Sequence, residues 1–304
     1  MSAPISRTLQ VHAPGPVRLA LDMSAGQVTV TAADVPAVEV SLTTLVPPTS
    51  ASVPAIDQAT LTAADDRVTL RVPTDDDNDV RMRVRKVRRN APAWLRKIIG
   101  DYRWAWTVEQ GARPTGVVVT DNGDVGWRAC GTIHSVINSD DGSKVLLLAR
   151  PGVKADVRIP RGSAVHMTTR SAALTVTGQV RTIDYTSESG NLRAEACETL
   201  RAKSTSGEVS AKTARDAIVH TVSGGIDVGR TQQVAIDTTS GEVHIRELAG
   251  NAEITTVSGQ VSVHAAHGGT ITAASVSGDV TVTAEPGNRL HIKATSISGT
   301  VSLP

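Results

Sequence analysis

The sequence predicts an all-β fold: a single-chain β-solenoid (β-helix) with rungs of about 17 residues, an irregular β-rich N-terminal cap and one short amphipathic helix in an insert. Three observations carry this prediction. A Ser-Gly pair recurs at a nearly constant interval through the C-terminal half, with glycines at 190, 207, 224, 241, 259, 278 and 299, spaced 17, 17, 17, 18, 19 and 21 apart. Apolar residues alternate with polar ones on both sides of each pair, the period of a half-buried strand. The 304 residues include no Phe, and aromatic residues make up 2%. Thin layers of aliphatic and β-branched side chains suit such a composition better than a core built on aromatic anchors.

The strand downstream of each corner follows from two rows. Two residues after the glycine stand Leu192, Val209, Ile226, Val243, Val261, Val280 and Val301; four residues after it stand Ala194, Ala211, Val228, Ile245, Val263, Val282 and Leu303. Upstream, the positions seven and five before the glycine are apolar, as in Ile183/Tyr185, Val234/Ile236, Ala252/Ile254, Ile271/Ala273 and Ile292/Ala294. Each repeat therefore reads as two short strands joined through one corner.

The corner consists of Ser189-Gly190, Ser206-Gly207, Ser223-Gly224, Ser240-Gly241, Ser258-Gly259, Ser277-Gly278 and Ser298-Gly299, with Ser or Thr two residues before each of these serines. Parity places both hydroxyl rows inward, and glycine is expected because it tolerates a bend that a Cβ resists. Inward hydroxyls would bond along the stack and to corner backbone. As nucleophiles the serines would each need an activating base, and no His or acidic residue keeps step with them. The row is therefore expected to be structural, and the chain is not expected to be an enzyme.

A single rung cannot fold, because ordering its backbone costs at least what its few buried aliphatic side chains contribute. Stability must come from stacked neighbours, which leaves the ends exposed. The pattern runs to SISGTVSLP, so an open ladder edge is expected there, available to a protein partner or to a second copy.

Toward the N-terminus the repeat weakens. VHMTTRSAALTVTGQV resembles an imperfect rung with Ala173 in the glycine place, preceded by the strand and turn KADVRIPRGSAV. Gly26 marks a further small-residue corner, and ATLTAADDRVTLRVP reads as a hairpin. The expected organisation is a β-rich cap over 1–75, a basic and aromatic insert over 76–149 and the solenoid over 150–304.

Within the insert, VRMRVRKVRRN alternates apolar residues with Arg81, Arg83 and Arg85, which gives a strand one basic face. NAPAWLRKIIGDYRWAW opens with helix-start residues and gathers Trp94, Leu95, Ile98, Ile99 and Tyr102 on one face, with Arg96, Lys97 and Arg103 elsewhere and Trp104 and Trp106 following. A basic amphipathic helix of this kind suits an anionic membrane or a partner's groove. The competing expectation, preferred because repeat arrays need covered ends, is a helix that caps the solenoid.

The rungs STSGEVSA, TTSGEVHI and SVSGDVTV, preceded by an alternating strand that ends in Pro, resemble the bacterial putative-adhesin family of β-strand repeats, also called the toastrack domain. The resemblance covers 150–304 well and 10–75 more weakly. It implies a solenoid found in proteins linked to cell-envelope stress and surface association, and it brings no catalytic residues.

The remaining chemical signals are sparse. A net charge of +1 argues against nucleic acid as a partner. Cys130 and Cys197 allow at most one bridge, and the histidines at 220, 244, 264, 267 and 291 occupy different rung positions, so no metal or other cofactor is expected. The polar residues just after the glycine, Glu208, Glu242, Gln260 and Asp279, suggest a solvated outward row. The start of the chain lacks the apolar core of a signal peptide, so the expected location is the cytoplasm, with peripheral contact at the inner face of the membrane. The expected function is a scaffold or interaction protein associated with the envelope; the alternative is a carbohydrate-binding or polysaccharide-acting β-helix.

Overall fold

The computed structural model describes residues 6–44, 52–73, 116–119, 124–129, 132–138 and 153–304. The fold is all-β, a solenoid of about 8 turns with rungs about 18 residues apart. The N-terminal part contributes β1 (Ser6–His12), β2 (Arg18–Asp22), β3 (Gln27–Ala33), β4 (Ala37–Thr44), the short helix α1 (Ser52–Asp57), β5 (Thr60–Ala64) and β6 (Arg67–Arg71). Next come β7 (Gly116–Val119), β8 (Asp124–Ala129) and β9 (Thr132–Asn138), which pair antiparallel as a sheet of their own. The solenoid strands begin with β10 (Val153–Pro160), β11 (Ala164–Thr169) and β12 (Ala173–Ser187). They continue through β13 (Leu192–Ser204), β14 (Val209–Thr221), β15 (Ile226–Thr238) and β16 (Val243–Thr256). The series closes with β17 (Val261–Ala265), β18 (Gly269–Ser275), β19 (Val280–Ala284), β20 (Leu290–Ser296) and β21 (Val301–Ser302).

Two parallel ladders run along the solenoid. One stacks the segment after each corner, from Leu174 on Leu192, Val209, Ile226, Val243, Val261, Val280 and Val301. The other stacks the segment before it, from Ile183 on Leu200, Ala217, Val234, Ala252, Ile271 and Ile292. In β12 to β16 the two halves of a rung form one continuous strand rather than the two short strands expected, and bulges at Val176/Gln179, Thr231/Gln233 and Ile245/Leu248 turn the chain between ladders. Cys197, Ala214, Thr231, Leu248 and Ala265 line the inside of that bend. The inner rows merge into one core whose largest fully buried side chains are aliphatic apart from Met167 and Tyr185.

The N-terminal strands belong to the same ladders. β3 lies between β10 and β12, parallel to both, and β2 lies between β6 and β11. Beyond them, β1 and β4 pair antiparallel and close on β10, while β5 and β6 form the expected hairpin, turning through Asp65 at φ 53°. Buried Ile56 of α1 joins the core at this end, and Arg7 donates to the carbonyl oxygens of Ile56 and Ala59 at 2.9 and 3.0 Å.

Three further expectations are corrected. The serines next to glycine do not point inward: Ser189 and Ser206 are half-buried, and Ser223, Ser240, Ser258, Ser277 and Ser298 are exposed. The imperfect rung has Ala172, not Ala173, in the glycine place; its amide donates to Thr169 Oγ1 at 3.0 Å, the bond that the corner glycines make. Leu303 does not continue the inner row but is 51% exposed, because it lies past the last ladder pairing at Ser302.

Candidate interaction surfaces

Each corner except the one at Gly224, where Thr221 Oγ1 makes no bond, is held by two different hydroxyls. The residue three before the glycine is the inward one. Ser187, Ser204, Thr238, Thr256, Ser275 and Ser296 each accept the amide N–H of the following corner glycine at 2.7–3.0 Å, which satisfies a main-chain donor inside the bend. The serine next to the glycine is the outward one, and its hydroxyl donates to a carbonyl one rung earlier. Ser206 bonds Glu188 at 3.2 Å, Ser240 bonds Val222 at 3.3 Å and Ser298 bonds Val276 at 3.1 Å, with Ser189, Ser223, Ser258 and Ser277 alike. All seven serine protons are thus directed at main-chain carbonyls rather than at a base.

The glycines themselves are required by proximity, not by an unusual backbone angle. None of the seven has a positive φ. A Cβ on Gly207, Gly224, Gly241, Gly259, Gly278 or Gly299 would collide with the carbonyl oxygen of the corner glycine one rung earlier. The corners therefore stack as a file of bare backbone.

Ion pairs link successive rungs across the outer faces. Arg193 with Glu208 (3.5 Å), Lys212 with Glu195 (3.7 Å), Arg201 with Asp184 (3.5 Å) and His220 with Asp237 (3.1 Å) all connect neighbouring turns. The Gly178 amide, bonded at 2.9 Å, and then Lys212 hold the Glu195 carboxyl below its ordinary range. The hydrogen bond from Arg230 Nε to Glu247 Oε2, 2.6 Å long, does the same for Glu247 and raises Arg230. These side chains remain largely open to solvent, so each pair adds little stability.

Among the described residues two titratable side chains are buried, Cys197 and Tyr185. Cys197 is a free thiol pushed up to about 12 by burial. Tyr185 is likewise pushed up to about 12 by burial, and its hydroxyl donates to the Ala172 carbonyl at 3.0 Å. Among the described residues no three His, Cys, Asp or Glu side chains converge to hold a metal ion, and no helix is long and apolar enough to cross a membrane.

At the far end of the ladders, β20 pairs with β18 and β21 with β19. Leu290, Ile292, Ala294 and Val301 are only half-buried there, whereas Ile271, Ala273, Val280 and Val282 in the preceding rung are at most 1% exposed. Ile297 beside them is 81% exposed. The insert residues singled out from sequence, Arg81, Arg83, Arg85, Trp94, Arg96, Lys97, Ile98, Tyr102, Trp104 and Trp106, lie outside the described residues.

With this geometry established, residues 136–304 match the family described as Toastrack DUF4097, which is more than half of the chain. The chain belongs to this family. The toastrack match begins within β9, while β3 and β2 supply strands to the same ladders from outside it. Two solved structures share the fold across nearly their whole length. A putative adhesin from Parabacteroides merdae ATCC 43184 is 9% identical with a TM-score of 0.50, covering 98% of this chain and 95% of that one. A putative adhesin from Parabacteroides distasonis ATCC 8503 is 8% identical with a TM-score of 0.50, covering 98% and 97%. A putative adhesin from Bacteroides fragilis NCTC 9343 is 11% identical with a TM-score of 0.48, covering 100% and 98%. No curated protein matches the sequence.

Proposed function

We propose that this toastrack chain is a non-catalytic interaction scaffold that docks a β-strand, from a protein partner or a second copy, on the β20–β21 end of its ladders. One observation carries this reading: inner-row side chains that are buried in the preceding rung are half-uncovered in β20 and β21. An edge strand offers a row of main-chain donors and acceptors, and an added strand would also cover Leu290, Ile292 and Val301. The corner serines, each bonded to a carbonyl, support a scaffold rather than a nucleophile.

The test is cross-linking mass spectrometry with light scattering on the full chain, alone and with captured partners. Cross-links are expected to concentrate at 290–303 and to disappear in Ile292→Lys/Ile297→Lys, where charge blocks strand addition. Cross-links on other rungs, unaffected by that variant, would overturn the reading.

A second reading, competing with a cap on the solenoid, is that the basic and aromatic segment 80–106 holds the scaffold at the inner membrane face. Co-sedimentation with anionic vesicles should fall when Trp94, Ile98 and Trp104 are replaced by Ala. Unchanged partitioning of that variant would remove the membrane part and leave end docking intact.

A further inference from the structure

The residue after each corner glycine faces outward, and it is polar in six rungs: Asn191, Glu208, Glu242, Gln260, Asp279 and Thr300. In the remaining rung it is Gly225. Nothing in the fold demands glycine there. Its φ is not positive, and a Cβ would meet nothing within 4 Å, unlike Gly229 nearby, whose Cβ would collide with the Lys212 carbonyl. The absent side chain helps to leave a depression of about 520 Å³ on the ladder face, within the size range of small-ligand sites, roughly 300–1,000 Å³.

Ile226 and Ile245 contribute to its lining, and several of the polar side chains around them are paired. Arg246 Nε donates to Asp227 Oδ1 at 3.1 Å, and its Nη2 bonds Oδ2, which holds a flat guanidinium–carboxylate pair. Glu242 Oε1 lies 2.9 Å from His244 Nε2, and Glu208 lies 3.5 Å from Arg193. Three carboxylates disfavour an anion, while the pairing of Glu208 and Asp227 with arginines leaves little charge to attract a cation. What remains is a set of acceptors and donors on planar groups, whose unused lone pairs and N–H groups can bond hydroxyls. We infer that this depression binds a neutral saccharide through its hydroxyl groups. The inference is independent of docking at the ladder end, which lies on other rungs.

The test is calorimetric and saturation-transfer NMR titration of the full chain with glucose, galactose, mannose, N-acetylglucosamine, maltose and cellobiose. At least one sugar is expected to bind saturably. Gly225→Glu, which restores the side chain that other rungs carry, should weaken that binding at least tenfold with an unchanged melting temperature. Glu242→Gln, an exposed and isosteric change, should also weaken it and serves as the deciding variant if Gly225→Glu unfolds. Ile292→Lys should leave it unchanged. No binding by the natural chain, or undiminished binding in Glu242→Gln and in a folded Gly225→Glu, overturns the proposal.

Discussion

The amide of Gly241 donates to Thr238 Oγ1 at 3.0 Å, while its α-carbon lies so close to the Gly224 carbonyl that a Cβ has no room. Gly241→Ala must therefore push two rungs apart, and its expected cost is about 3 kcal/mol or more. Gly225→Ala, at an open position, should stay within about 0.5 kcal/mol of the natural chain. Urea unfolding of the two variants checks the contrast; equal effects would contradict stacking as the reason for the corner glycines.

The inward hydroxyls give a second contrast. Thr256 Oγ1 accepts the Gly259 amide at 3.0 Å, whereas the buried Thr221 Oγ1 has no partner. Thr256→Val strands a buried N–H and should cost about 1–3 kcal/mol. Thr221→Val removes an unsatisfied buried oxygen and should be neutral or stabilising, which differential scanning calorimetry would reveal as an unchanged or raised Tm.

Cys197, buried with its thiol pushed up to about 12, should resist modification in the folded chain. In a Cys130→Ser background, reaction with a disulfide reagent at pH 8 should follow global unfolding, and rapid stoichiometric labelling of the native protein would contradict the burial.

Glu247 should titrate below its ordinary value of 4.5, chiefly because Arg230 bonds it. A carboxyl depressed by folding contributes stability that is present above its unfolded value and lost as pH falls through the folded value, so the window lies at and below about 4.5. NMR titration should show the Glu247 midpoint rising toward the ordinary value in Arg230→Met. The Glu195 midpoint should stay depressed in Lys212→Ala, since the Gly178 amide is its main cause.

Much of the solenoid was legible because its repeat is chemical as well as hydrophobic. The rows at Leu192 and Ala194, or at Ile226 and Val228, alternate with period two and are buried as that alternation requires. The orientation of Ser206 was not legible, because chain parity breaks at the corner and only the bond to Glu188 shows which way the hydroxyl turns. Ala172 was missed for a related reason: Thr169, three residues earlier, marks the corner, and that spacing becomes meaningful only once the glycine amides are seen to bond the same position. The depression at Gly225 was not legible, because its space depends on neighbours in two other rungs. The intercalation of β3 left no local trace, since partners more than a hundred residues away do not alter a strand's own pattern.

That intercalation bears on how the chain is made. β3 ends at Ala33, yet its neighbours extend to Pro160 on one side and Thr177 on the other. At ordinary rates of translation, the ribosome takes on the order of ten seconds to synthesise the intervening chain. Throughout that interval Val28 and Val30, wholly buried in the finished protein, lack the strands that cover them. The nascent N-terminal segment thus keeps apolar side chains uncovered until β10 and β12 have been made, so β3 cannot take its place in the ladder as soon as it is synthesised.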